Sequence, residues 1–281
     1  MAKSLATQAL EKVGKDWSVS KETREARLQG IKRFAKFVQK TYGLQNIQHL
    51  KPGHVQAYAK SLRDEGINAR TGANYMAHVR DICNAIGKGG IVNKDNAAYG
   101  FGGVTRQHPI KENLTKVGEI RAALEAKAAA GDRTAKMMVA TAAMRQAFGL
   151  RQKEAQISHR VVMVDGKPHL LVEGAKGGLV RANEVRTDLQ WEALALSART
   201  AKELGNRNGR PIPPEFTLKQ SMQNESRAWN EAGGTREDKA NMHASRHTYA
   251  QTRLAEGATR EQVNKELGHG EQRSLGSYAE K

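Results

Sequence analysis

His243-Ala244-Ser245-Arg246-His247-Thr248-Tyr249-Ala250, then Leu267-Gly268-His269-Gly270, then Tyr278: this closing stretch decides how the chain reads. His243 and Arg246 stand three apart on an expected helix and share one face. Cationic and imidazole groups followed at short range by one tyrosine suit attack of a tyrosine hydroxyl on a phosphodiester, with the other side chains holding the phosphate and moving protons. His247 lies four residues from His243 and so raises a metal site. No HExxH pattern, nearby cysteine or carboxylate ligand completes one, and no metal is expected.

Two upstream residues extend the set. Arg151 follows Phe148-Gly149-Leu150 at a helix end, with Glu154 three residues on. A guanidinium offers a rigid fork of donors that fits two phosphate oxygens. Lys176 lies in Glu173-Gly174-Ala175-Lys176-Gly177-Gly178, a glycine-flanked turn after an expected strand, where it can place one compact donor at a leaving oxygen. Taken singly, each has an ordinary reading: a surface arginine, a loop lysine, a capping histidine, a tail tyrosine.

Charge favours the chemical reading. The 281 residues carry a net charge of +17, and the segments before and after residue 112 are both basic. A phosphate polyanion is the natural partner, because each phosphate neutralised by Lys or Arg releases counterions. The alternative reading of charge alone is solubility or an anionic membrane surface. No apolar run reaches the roughly 18 residues of a membrane span, and the first residues lack the apolar core of a signal peptide, so a cytoplasmic protein is expected. Cys83, the single cysteine, excludes an internal disulfide. Among Val79, Ile82 and Ile86 it reads as a buried, inert thiol.

The expected architecture is mainly α with a small β-sheet (α+β). Residues 1–88 read as four short helices in a basic bundle. Ser20 caps one that Gly43 ends, Pro52 opens one over 52–64, and another spans 71–86. Residues 89–112, rich in glycine, read as a flexible linker. Residues 113–281 form a second domain. Two apolar runs around Asp165-Gly166 predict a hairpin, and the segment ending at Glu184-Val185-Arg186 predicts a third strand. Thr259-Arg260-Glu261-Gln262 has capping-box spacing and predicts a short helix.

In this order the motifs resemble the catalytic domain of the tyrosine recombinases, the phage-integrase and Xer-like family, over residues 110–281. Phe148-Gly149-Leu150-Arg151 with Glu154 looks like the family's first arginine box, and Gly174-Ala175-Lys176-Gly177 like its β-turn lysine. His243-Ala244-Ser245-Arg246 resembles its His-x-x-Arg box. Leu267-Gly268-His269 is similar to the next box, with Tyr278 nine residues beyond. Residues 1–88 resemble the family's helical core-binding domain. The resemblance departs in two places. The family carries a further helix after the tyrosine, and here only Ala279-Glu280-Lys281 follows, which implies a truncated form or a different association of protomers. No arm-site module is expected before the bundle.

The resemblance implies a site-specific recombinase, an integrase of a phage or mobile element, that needs no metal, cofactor or ATP. Tyr278 is the implied nucleophile, His243 the base and Lys176 the general acid. Arg151, Arg246 and His269 are the implied phosphate donors, and Glu154 the brace. The implied partner is a double-stranded recombination site held by a homotetramer on two duplexes, with accessory DNA-bending or directionality proteins and no membrane. The reaction would take place in the bacterial cytoplasm at the nucleoid. Arg70, Asn74, His78 and Arg80 form a basic helix face that suits a DNA groove. Two other readings stay open: a type IB topoisomerase-like enzyme, and a catalytically silent DNA-binding regulator.

Overall fold

The computed structural model describes residues 3–14, 18–103, 110–174 and 180–268, which fall into two units, Met1–Thr105 and Arg106–Lys281. Lys176, His269 and Tyr278 lie outside the described residues. Among those described, no helix is long and apolar enough to cross a membrane.

The first unit is built from α1 (Leu5–Val13), α2 (Lys21–Tyr42), α3 (Pro52–Asp64) and α4 (Ala69–Ala85). Local chemistry sets their ends. Ser4, Ser20 and Asn68 each accept a hydrogen bond from the backbone amide three residues on, satisfying a donor that a helix start leaves open. Gly43, at φ 62°, stops α2 in the left-handed conformation that glycine tolerates. The apolar faces of the four helices converge on Ile31, Phe34, Tyr58, Leu62, Met76 and Val79. Cys83 is fully buried there, and burial pushes its thiol up to about 11.

The glycine-rich stretch after α4, expected as linker from residue 89, differs from that expectation over residues 89–101. Two 3-10 turns, Gly89–Ile91 and Asn96–Tyr99, carry Val92, Tyr99 and Phe101 into the core of the first unit. The cause is a matched pair of features distant in sequence. Gly72 in α4 leaves a slot for the Phe101 ring, since a Cβ at position 72 would stand 2.3 Å from Phe101 Cδ1. Arg80 then ties the segment down, donating from Nε to Asn93 O at 2.9 Å and from Nη2 to Asn96 Oδ1 at 2.7 Å.

In the second unit, α5 (Leu114–Ala129), α6 (Arg133–Phe148) and α7 (Gln152–Ile157) precede a hairpin. Then come β1 (Val161–Val164), β2 (Lys167–Val172), β3 (Arg181–Glu184), α8 (Asp188–Glu203), α9 (Leu218–Glu231), α10 (Ala244–Ala255) and α11 (Arg260–Leu267). The helix α6 is buried on nearly every side, with α5, α8, α9 and α10 packed around it. Its alanines and methionines supply small or adaptable surfaces to each neighbour. The sheet is antiparallel in the order β1-β2-β3. Asp165 (φ 50°) and Gly166 (φ 75°) form the two-residue turn between Val164 and Lys167, where positive φ at both positions matches the twist of the strands. Leu170 and Val172 of β2 pack on Phe148 and Leu150, which fixes the sheet against the end of α6.

Replacing Phe101 by Ala empties the Gly72 slot. The expected loss is about 3–5 kcal/mol of stability, the usual cost of deleting a buried phenyl group. Amide hydrogen exchange should rise across residues 89–101, with urea unfolding as the check.

Candidate active site

Gly149 ends α6 at φ 62°, and the position admits no side chain: a Cβ there would meet Tyr249 Cδ1 at 2.5 Å and Leu267 Cδ2 at 2.9 Å. The close approach of α10 and α11 therefore dictates the turn that presents Arg151. Arg151 stands at the N-terminal boundary of α7, and its main-chain amide donates to Glu154 Oε2 at 2.9 Å, while its Nη1 donates to Glu154 Oε1 at 2.7 Å. The helix is held from behind. Gln152 donates to Met222 O and Ser226 Oγ of α9, and Gln156 donates to Glu225, which also pairs with Arg145 of α6.

Glu154 is the hub. Its side chain has no solvent exposure, a setting in which a carboxylate survives only with good partners. Arg181, the first residue of β3, provides them: Nη1 reaches Oε1 at 3.1 Å and Nη2 reaches Oε2 at 3.0 Å, a fork-to-fork pair. Arg246 Nη1 lies 3.9 Å from Oε2. Burial alone would raise the carboxyl, but the hydrogen bonds and charge of Arg181, then those of Arg151, outweigh it and hold the group at about 2.

Arg246 is fully buried on α10. Its Nη1 donates to Gly149 O at 2.6 Å and its Nη2 donates to Leu267 O. Arg151 Nη1 reaches the same Leu267 carbonyl at 3.4 Å. The last carbonyls of α11 carry the negative end of the helix dipole, so both arginines are drawn to the point where Leu267 and Gly268 end the helix. Glu266 anchors that helix from its other side. Its carboxylate accepts from Arg186, Arg253 and Tyr249, and its main-chain carbonyl accepts from Arg181 Nε at 2.7 Å and Asn183 Nδ2 at 2.9 Å.

His243 immediately precedes α10 and is exposed, its ring 5.4 Å edge-on from that of His247. With Gln152, Trp229, Arg236 and Asn241 it lines a cleft of about 600 Å³. The residue after Arg151 and the expected base thus open onto one cavity.

The structure gathers Arg151, Glu154 and Arg246 into one network and sets His243 at the adjoining cleft. Lys176 falls in the chain between β2 and β3, which pair at Val172 and Arg181, and itself lies outside the described residues. Of the expected DNA-facing residues in the first unit, Arg70 and Asn74 are exposed. His78 packs on Gly30, and Arg80 binds the 89–101 segment. Sequence reasoning missed Arg181. The available signal is an arginine opening a half-buried strand, which calls for a carboxylate partner.

Residues 1–92 match the family model "Phage integrase, N-terminal". No curated protein matches the chain by sequence. Among solved structures, XerH site-specific recombinase in its pre-cleavage complex with difH is similar at TM-score 0.62 and 16% identity, over 91% of this chain and 75% of that one. The Tn1549 transposon integrase with transposon right end DNA is similar at TM-score 0.61 and 14% identity, over 99% and 95%. A lambda integrase dimer on a COC' core site is similar at TM-score 0.62 and 17% identity, over 92% and 72%. The chain therefore has the tyrosine-recombinase fold, mainly α with a small sheet, and an integrase-type first domain.

The depressed Glu154 carboxyl has a consequence for stability. A group with a lowered folded pKa stabilises above its unfolded value, about 4.3, and loses that contribution as pH falls through the folded value. Acid unfolding curves should show on the order of 3 kcal/mol lost between about pH 4.5 and pH 2. Glu154→Gln should lack this limb.

Proposed function

We propose that the protein is a site-specific DNA recombinase that cuts and rejoins duplex DNA through a 3′-phosphotyrosyl intermediate. The observation that carries this reading is the arginine network. Arg151, Arg181 and Arg246 surround a single carboxylate at the end of α11, so these four residues carry an excess of two positive charges in a low-dielectric setting. A phosphodiester is the anion that such a site, in a chain of charge +17, suits best.

In the proposed step, the Tyr278 oxygen attacks the scissile phosphorus and its proton passes to His243. A tyrosine hydroxyl titrates near 10, so an adjacent base is needed. The bond from phosphorus to the 5′ oxygen breaks, and Lys176 delivers a proton to that oxygen, leaving a free 5′-hydroxyl. Arg151, 27% exposed, supplies a guanidinium fork to the non-bridging oxygens. Arg246 acts from behind through its charge, its terminal nitrogens being bonded to main-chain carbonyls. His269 adds a further donor. The phosphotyrosyl ester retains the energy of the broken bond, so a second strand can be joined without ATP or a metal. The helical first domain would also bind the duplex, mainly through phosphates. The lambda integrase tetramer bound to a Holliday junction is a similar structure, and we extend a tetrameric assembly on two duplexes to this chain, acting in the bacterial cytoplasm.

A nicked suicide duplex containing the element's attachment site should trap a covalent protein–DNA band in EDTA, and Tyr278→Phe should abolish it. Specific binding without a band would favour a silent regulator. A band accompanied by supercoil relaxation and no strand exchange would favour a topoisomerase-like enzyme.

A further inference from the structure

We propose that Arg181 is a positioning residue of the active site: by occupying both oxygens of Glu154, it limits Arg151 to one side-chain donor on that carboxylate and leaves the rest of its guanidinium to a DNA phosphate. The inference rests on the recombinase reading for the role given to Arg151.

The geometry shows the division of labour. Glu154 is buried without solvent exposure and must be neutralised by the protein. Arg181 meets the carboxylate edge with two parallel donors, at 3.1 and 3.0 Å, and is itself only 9% exposed. Arg151 contributes Nη1 to the same carboxylate at 2.7 Å and keeps a solvent-facing side chain. Remove Arg181, and the nearest guanidinium able to satisfy Glu154 is that of Arg151. The two-donor fork that fits a carboxylate also fits a phosphate, so Glu154 would then compete with DNA for it.

Arg181 also touches the other parts of the site. Its Nε holds the Glu266 carbonyl at 2.7 Å, one residue before the Leu267 carbonyl that both Arg151 and Arg246 approach. A Cβ at Gly268 would stand 2.8 Å from Arg181 Nη1, so the guanidinium packs directly against the residue preceding His269. In the chain, Arg181 lies five residues after Lys176 and is paired with Val172 across the loop. One side chain thus joins the start of β3, the arginine pair and the end of α11.

The test uses the full chain with Arg181→Ala, Arg181→Lys, Glu154→Gln and the Arg181→Ala/Glu154→Gln double variant. Covalent adduct formation, DNA affinity against salt and thermal unfolding are measured for each. Arg181→Ala should slow adduct formation about 100-fold, the scale expected when a catalytic group is misplaced by about 1 Å. Arg181→Lys should also be slow, because a point charge cannot span both carboxylate oxygens, and it should unfold at nearly the unsubstituted temperature. Glu154→Gln in the Arg181→Ala background should recover at least about tenfold, since the competing carboxylate is gone. A purely structural role would tie any recovery to a matching rise in unfolding temperature, so recovery of adduct formation measured at a temperature where all four variants are fully folded is the discriminating result. Adduct formation by Arg181→Lys at the unsubstituted rate, or no recovery in the double variant, overturns the proposal.

The salt dependence of binding needs no chemistry. Arg151→Ala and Arg181→Ala should each lower the log–log slope by about 0.9, the value of one phosphate contact, and together by no more. Additive losses overturn the proposal. If the unsubstituted protein forms no adduct, or Tyr278→Phe forms as much, the recombinase reading fails, and the salt slopes still judge Arg181.

Discussion

A single buried carboxylate organises the second unit. Glu154 cannot ionise in the interior without cations, and it draws guanidiniums from three elements that are distant in sequence: Arg151 before α7, Arg181 on β3 and Arg246 on α10. Each contact fixes an element as well as a charge. The sheet is tied to the helical core at Arg181, and α10 and α11 meet α6 at Gly149, where no side chain fits. The cluster is also unbalanced. Three cations around one anion leave a local excess of positive charge, the feature on which the proposed phosphate binding rests. The same charges would relax against one another if they were more exposed and better hydrated.

Features with short-range causes were legible in the sequence. The hairpin at Asp165-Gly166, the helix opened by Pro52, the caps at Ser20 and Thr259 and the stop at Gly43 depend on residues within a few positions of one another. Glycine content misled at residues 89–101. The same glycines that suggest flexibility accompany Val92, Tyr99 and Phe101, and the slot that receives Phe101 exists because of Gly72, 29 positions earlier. Nothing local records that match.

At the site, spacing within motifs brought Arg151 and Glu154 to notice. Arg181 escaped because its partner stands 27 positions away. Another part of the arrangement leaves no sequence trace at all. Gly149 O and Leu267 O are main-chain acceptors, and a carbonyl is common to every residue type, so no side-chain identity records these bonds. The glycines at 149 and 268 mark the two turns: both take positive φ, and a Cβ there would meet Tyr249 or Arg181.

Main-chain acceptors also explain how so polar a helix is held in register. Apart from Val263 and Leu267, α11 brings little apolar surface to the core. Its position instead follows from its carbonyl end, where the helix dipole and the open C=O groups attract cations. Arg151, Arg181 and Arg246 all donate to carbonyls of Glu266 or Leu267, while Arg186 and Arg253 hold the Glu266 side chain. The arginines that gather at Glu154 are thus the ones that seat this helix end. Charge placement and the seating of α11 are consequently one constraint, and disturbing either displaces the other.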